Sequence, residues 1–398
     1  MGATTRDSSL SSRTECSMND DALKDAEPGK ELQIAVGDKL AINQPYFPEG
    51  GARAYCVVLG GFMALFATFG VSNSYGVLQD QWTLGSFSLA FSTQYYQFML
   101  SYSVCCGLGL GSLFSPTMSC VGSYFLKKRA TMVGLAAAGA AAGAVSTPLI
   151  LNNMFESVGF QKAVLTISGL SAGLLIVANA IMRPREMVRT SGGPATFELF
   201  KLFAKQPMSW LTYLGVALSM GGGMFITLFF VQQHAAEYGV SPTLVKSNIA
   251  ILNGVGTVSR FLAGFIADRC GVFNTAIPIS LTLGVTTFAL LGAKNTAGAI
   301  CWDIVYGLAF GSWVTVMSPM WMSLARDSSE LGTRVGVGSI FVAIAALVSA
   351  PIAGIILTAA DGQYWAAMTF GGVVGLTGTM LLVVARFVQA RRKQVWKV

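Results

Sequence analysis

Residues 123–148 read SYFLKKRATMVGLAAAGAAAGAVSTP. Three adjacent cations, Lys127, Lys128 and Arg129, stand directly before a helix-length run of Ala, Gly and Val that carries no charge. Such cations are retained on the cytoplasmic face, and an apolar run of this kind can enter a bilayer. Within it Gly134, Ala138 and Ala142 recur at four-residue steps, with Gly139 and Gly143 beside them. Small residues on a helix face let membrane helices approach closely. One segment thus points to the membrane class, marks an orientation and indicates how the helices pack.

Composition agrees. The 398 residues are 53% hydrophobic and 11% charged, with a mean hydropathy of +0.59. A soluble domain carries about 25% charged residues. The net charge of +7 would suit an anionic partner. Its cations lie between apolar runs, so membrane orientation accounts for them and no nucleic-acid partner is expected. The seven cysteines show no CxxC spacing and read as apolar packing residues, not disulfides or metal ligands. Residues 1–44 are polar, are expected to be disordered and contain no cleavable signal peptide. There is no His/Cys/Asp cluster, Walker A motif or nucleophile elbow, so neither an enzyme, a cofactor nor a metal is expected. The run Gly107–Gly111 lies inside a span and reads as a packing motif.

Apolar runs of spanning length occur at about 56–78, 96–121, 131–152, 163–182, 208–231, 249–267, 274–292, 300–322, 338–358 and 364–385, predicting an all-α membrane protein of about ten spans. Basic loops alternate with cation-poor ones: Lys127–Arg129, Arg183–Lys205, Arg269, Arg326 with Arg334, and Arg386–Lys393 against Lys162, Lys246 and Lys294. This bias places both termini in the cytoplasm of a multi-pass cell-membrane protein. The expected organisation is a tail at 1–50, a first helical half at 51–188, a linker at 189–205 containing Ser191, Gly192, Gly193 and Pro194, a six-span second half at 206–386 and a basic tail at 387–398.

The halves read as a parallel repeat. Arg129 precedes one glycine-rich span, and Arg334, in LGTRVGVG, precedes another. From Arg129 to Met182 is 53 residues, and from Arg334 to Ala385 is 51. The fronts differ, with 73 residues from position 56 to Arg129 and 126 from position 208 to Arg334. The first half is therefore 53 residues short, enough for two helices and a loop. Leu84–Phe91 is too short to cross alone and reads as the stump of a lost span.

Several motifs carry a resemblance. Glu49-Gly50-Gly51, Ala54, Tyr55 and then Ser72-Asn73-Ser74-Tyr75-Gly76 resemble the opening of fungal monocarboxylate-porter-type members of the major facilitator superfamily. Tyr124, Phe125, Lys128, Arg129, Gly134, Ala136, Gly139 and Gly143 are similar to that family's fifth-helix pattern, and Gly159-Phe160 to the pair that follows it. Arg260, Gly264 and Asp268-Arg269-Cys270-Gly271 match its R-x-x-x-G-x-x-x-D-R-x-G helix and loop. Tyr306-Gly307, Gly332-Thr333-Arg334 and Pro351-Ile352-Ala353-Gly354 match later motifs, so that the resemblance covers about residues 49–388. It implies a two-half bundle of twelve helices, of which the second and most of the third are absent here between about Gln79 and Thr93, together with the first-half D-R-x-G loop. Animal relatives place an acid four residues before the arginine of the eighth helix. Gly256 stands there, so proton-coupled lactate transport is not implied. The implied function is secondary active transport of a small organic molecule, monocarboxylate-like or a secondary metabolite, with efflux as one direction and import left open. The alternative is a transport-incompetent membrane protein or a truncated gene model. A small-molecule substrate and the lipid bilayer are the expected partners, and the oligomeric state is left open.

Among candidate site residues Arg260 stands first, because a charge inside an uncharged span is costly unless it meets a cavity or a partner. Its planar fork suits an anionic substrate group, while a structural arginine bonded to helix carbonyls is the competing reading. Asn73, Tyr75, Gln232, Tyr306 and Trp313 could bond substrate, the last two sharing a helix face at a seven-residue spacing; packing or lipid contact is the alternative for the aromatics. Asp268 and Arg269 make a gate or a capped turn. Asp303 is the best-placed acid for proton coupling, against a solvated interfacial acid, and the sole histidine, His234, reads as a loop residue.

Overall fold

Inside a bilayer each segment must satisfy its own backbone polar groups, and apolar runs achieve this as helices. The computed structural model describes residues 49–68, 77–182, 206–238, 240–325 and 330–394. Residues 1–48, the 189–205 linker and the candidates Asn73 and Tyr75 lie outside the described residues, whereas the basic stretch expected as a tail from 387 continues the last helix to Lys393. Those described contain helices and no strand. In the first half the helices are α1 (Ala52–Thr68), α2 (Val77–Ala90), α3 (Tyr95–Tyr124), α4 (Arg129–Val158) and α5 (Phe160–Ile181). The second half has α6 (Pro207–Glu237), α7 (Pro242–Cys270), α8 (Val272–Ala289), α9 (Thr296–Met322), α10 (Leu331–Ala359) and α11 (Tyr364–Lys393). Among the described residues nine helices, α3 to α11, are long and apolar enough to cross a membrane. Helix α1, at 17 residues, is about 26 Å long, close to the ~30 Å hydrocarbon core. Proline opens α6 and α7 at Pro207 and Pro242, where a missing N–H costs nothing.

The expected spans from 96 onward coincide with α3 to α11, but the front of the chain differs. Val77 and Leu78 belong to α2, so the first span does not run to 78 as its hydropathy suggested. The Leu84–Phe91 fragment is the last part of this 14-residue helix and the turn residue Phe91 after it; the helix is about 21 Å long and too short to cross. It runs antiparallel to α3, where a side chain at Gly85 would meet Ser101 O at 2.8 Å and Cys106 Sγ at 2.8 Å. Among the described residues the first half thus shows five helices, one of them too short to cross, against six in the second.

The small residues of α4 serve two faces. A Cβ at Gly139 would lie 2.1 Å from Phe62 O, and one at Gly143 2.2 Å from Phe66 O, so that edge presses on α1. A Cβ at Gly134 would lie 2.6 Å from Arg260 O, and one at the reciprocal Gly264 would lie 2.6 Å from Ala130 O, so the other edge presses on α7. Helix α4 is therefore the hinge of contact between the two halves, and bulk at either edge is excluded. Inside the second half α7 and α9 run parallel and equally close: a Cβ at Gly307 would lie 2.9 Å from Leu252 O, and one at Gly311 would press on Gly256 O.

Matching contacts secure the helix ends at the two repeated arginines, Arg129 and Arg334. In the first, the Glu49 carboxylate before α1 accepts from Leu126 N at 2.8 Å and Lys127 N at 2.7 Å, and Arg129 Nε donates to Gly122 O and Phe125 O. In the second, Arg334, fully buried, donates to Glu330 Oε2 at 3.0 Å, to Ser209 Oγ at 3.3 Å and to Gln206 Oε1, just before α6, at 3.4 Å. The segment before the first helix is tied to the start of the helix at the repeated arginine each time. None of the six described cysteines forms a disulfide.

Candidate transport site

Arg260 lies midway along α7, beside the seam with α4 and against α9. It is 3% exposed, and its Nε and Nη1 have no hydrogen-bond partner. The carbon of its guanidinium lies 5.8 Å from the centre of the Phe310 ring on α9. The reading of a structural arginine bonded to helix carbonyls is not what these nitrogens show. Their isolation has a local cause. One turn earlier stands Gly256, whose Cβ, were there one, would be 3.7 Å from Nη1. An acid at that position would pair with the guanidinium; glycine leaves it unpaired.

An aromatic ladder on α9 leads to Arg260. Trp302 stacks on Tyr306 with ring centres 4.5 Å apart, and Tyr306 on Phe310 at 6.4 Å. The indole of Trp302 donates to Thr286 O. The Tyr306 hydroxyl lies 3.0 Å from Gly223 O and 3.1 Å from Met224 O, donating to this pair of carbonyls. Those carbonyls belong to Ser219–Ile226, where α6 widens to a π-helix and its carbonyls are freed from the regular ladder. Tyr306 is fully buried and its hydroxyl is already engaged, so it braces α6 against α9. Trp313 is also fully buried, but its Nε1 has no partner.

The other candidates are not brought to Arg260. Gln232 Nε2 donates to Val245 O at 3.0 Å, tying the end of α6 to the start of α7 at the end remote from the basic loops. Asp268 closes the basic end of the α4–α7 seam. Its carboxylate accepts from Ala130 N at 2.9 Å, Thr131 N at 2.8 Å and Thr131 Oγ1 at 2.6 Å, capping the amino terminus of α4 from the other half of the molecule. Arg269 does not join it: its guanidinium stacks on the Phe265 ring of its own helix at 4.0 Å. Phe310 and Thr131 escaped the sequence reading. For Phe310 the signal was present in the four-residue spacing Trp302, Tyr306, Phe310. Thr131 gains meaning only from the partner helix.

Two polar residues are placed differently from expectation. His234 is not in a loop; it sits buried in the last turn of α6, between Tyr238 at 4.8 Å and Tyr364 at 5.7 Å. Asp303 is not a solvated interfacial acid; it is fully buried. Among the described residues no group of three His, Cys, Asp or Glu could hold a metal ion.

Comparisons with known proteins fit this geometry. "MFS-type transporter 1" of Ophiocordyceps sp. (strain BCC 1869) is 29% identical over 412 positions, covering 90% of this chain and 91% of the relative. The aspyridones efflux protein apdF of Emericella nidulans is 27% identical over 412 positions, covering 89% and 83%. Among solved structures, the outward conformation of FucP, a Major Facilitator Superfamily transporter, shares the fold with a TM-score of 0.60 at 13% identity, over 84% of this chain and 90% of that one. The alignments also gauge the gap. Ninety per cent of 398 residues is about 358, so about 54 of the 412 positions matched to the Ophiocordyceps protein have no residue here. The Emericella match leaves about 58. Both lie close to the 53 residues by which the first half falls short of the second. The Major Facilitator Superfamily model matches residues 81–329, more than half of the sequence. The chain therefore belongs to the major facilitator superfamily, a family of multi-pass membrane transporters.

Proposed function

We propose that this transporter moves a small organic anion, a monocarboxylate-like compound or an acidic secondary metabolite, out of the cell by secondary active transport. The observation that carries the reading is the unpaired, buried guanidinium of Arg260. A charge in that setting costs several kcal/mol unless a partner neutralises it. A substrate carboxylate arriving between the halves supplies that partner, and the planar fork can bind it through two parallel hydrogen bonds. The free Nε1 of Trp313 provides a further donor, and Phe310 a flat apolar wall. Asn73 and Tyr75 are kept as candidate hydrogen-bonding partners of the substrate.

Alternating access supplies the cycle. Taking the basic end as cytoplasmic, the bonds from Asp268 to α4 hold the cytoplasmic side shut, and their rupture lets the halves rock open there. Asp268 is then the gating residue, and Arg269 anchors the loop beside it. In this orientation both termini lie in the cytoplasm and the protein resides in the cell membrane. Efflux is supported by the name of the Emericella relative, an aspyridones efflux protein. A metabolite profile of the culture medium tests the reading: a deletion strain should retain a small organic acid that the parent strain releases. Identical media from the two strains would refute it.

A further inference from the structure

We infer that this carrier needs no coupling ion and is driven by the membrane potential, because the charge of Arg260 crosses the membrane field bare when the site is empty and neutralised when it is loaded. The inference rests on the anion reading above and adds its driving force.

The charges around Arg260 carry the argument. The residue is 3% exposed, and its Nε and Nη1 have no hydrogen-bond partner. Among the described residues no acid is brought to it. On α7 itself Gly256 stands one turn earlier, 3.7 Å from Nη1 at the position of a Cβ. Asp268 lies 8 residues further on, about 12 Å along the axis, and its oxygens are taken by Ala130 and Thr131. The acid of α9 is Asp303, whose hydrogen-bond partner is the Asn248 side chain. Asn248 is 12 residues before Arg260, about 18 Å along α7. Helices α3 and α8 contain no charged residue. Helix α4 brings Arg129 at its first residue, and α10 brings Arg334, paired with Glu330. From α6 come His234 and Glu237, both in its last turn. The side chains of Asp80, Glu156 and Lys246 are outside the described residues.

The consequence is a cycle whose two crossings differ in charge. A substrate carboxylate on Arg260 makes a pair of zero net charge, so the loaded carrier changes sides without moving charge through this pair. After release the guanidinium keeps its positive charge, and the empty carrier returns with it. Arg260 need not travel. Water entering from one side sets the guanidinium at the potential of that side, and the rocking of the halves changes which side it is. With the basic end cytoplasmic and the cell interior negative, return to the cytoplasm-facing form is downhill for a cation. One turnover then exports one negative charge with no accompanying ion. Charges that stay fixed, Asp303 included, cancel over the two crossings.

The force is sufficient. A roughly 50-fold excess of a monoanion outside the cell corresponds to about 2.3 kcal/mol, the work done by about 100 mV on one elementary charge. The same potential acts on the step that breaks the three bonds of Asp268 to α4. One 29-residue helix thus carries both the group that senses the potential and the lock that opposes it. An acid in place of Gly256 would neutralise Arg260 in the empty carrier and remove this sensitivity.

Transient charge movement under voltage clamp, in cells expressing the full-length protein and with no substrate added, tests the inference. The wild type should give a transient current at each voltage step that saturates at extreme potentials. Arg260→Gln at equal surface abundance should lose it. Arg260→Lys, which keeps the charge but not the planar fork, should retain it. Asp268→Asn should retain it with the voltage midpoint shifted toward the cytoplasm-facing form. The wild-type midpoint should not move with external pH. Absence of the transient in the wild type, its persistence in Arg260→Gln, or a midpoint that follows pH would each overturn the proposal. The two readings fail separately. A deletion strain that retains no organic acid refutes the anion reading and leaves the charge movement in place, whereas a retained acid without charge movement leaves that reading and removes this one.

Discussion

Replacing Asp268 by alanine should open the cytoplasmic end. The carboxylate accepts three bonds from the first turn of α4, at 2.9, 2.8 and 2.6 Å. In the open state water takes over both the carboxylate and the freed N–H groups, so only the differential counts. A lost amino-terminal cap is worth about 0.5–2 kcal/mol and the charge–dipole interaction about 0.3–1 kcal/mol. The sum, roughly 1–3 kcal/mol, corresponds to about a 5- to 150-fold shift between closed and open forms. Asp268→Asn keeps one acceptor oxygen without the charge, so its shift should fall near the low end of that range. The assay is a pulsed electron-spin distance between labels at Lys127→Cys and at Cys270, both exposed at this end, in a background without the other cysteines. A new, longer distance should dominate in Asp268→Ala and form a minor fraction in Asp268→Asn. Unchanged distances in a variant that unfolds at the wild-type temperature would refute the lock.

Two further substitutions probe packing and the repeated arginine. Gly139→Ala places a methyl group where Phe62 O lies 2.1 Å away, and should lower stability by about 1–3 kcal/mol, seen as a lower melting temperature in detergent. Arg334→Ala should cost about 3–5 kcal/mol by leaving Glu330 buried and uncompensated, whereas the double variant Arg334→Met with Glu330→Met should recover most of the loss, measured by thermal unfolding.

The parts of this structure legible in the sequence are those where one residue type has one physical use. Uncharged runs of 20 residues have no fate but a spanning helix, and the glycines of α4 announced close packing correctly. Which edge of α4 meets which neighbour was not legible, because glycine at 134, 139 and 143 looks alike until α1 and α7 are in place. Arg129 and Arg334 served as a ruler because each begins a glycine-rich helix, and the tethers from Glu49 and Gln206 show the correspondence in space. Residue chemistry alone did not reveal the contacts that Tyr306 and Gln232 make. Both read as substrate donors, but a π-helical widening of α6 draws the Tyr306 hydroxyl, and the Val245 carbonyl takes the Gln232 amide. Such engagements depend on freed carbonyls, which leave no mark in composition or periodicity. Asp303 looked interfacial from its distance to the helix end; the parallel pairing of α9 with α7 buries it.

Arg260 is where the account is most exposed to test. Export of the retained organic acid should be compared between cells carrying the wild type and Arg260→Ala at equal abundance in the membrane. Loss of export to the level of the deletion strain, with Arg260→Lys also strongly impaired for want of the planar fork, is the predicted result. Wild-type export rates in Arg260→Ala would contradict the central claim that this buried guanidinium binds the substrate.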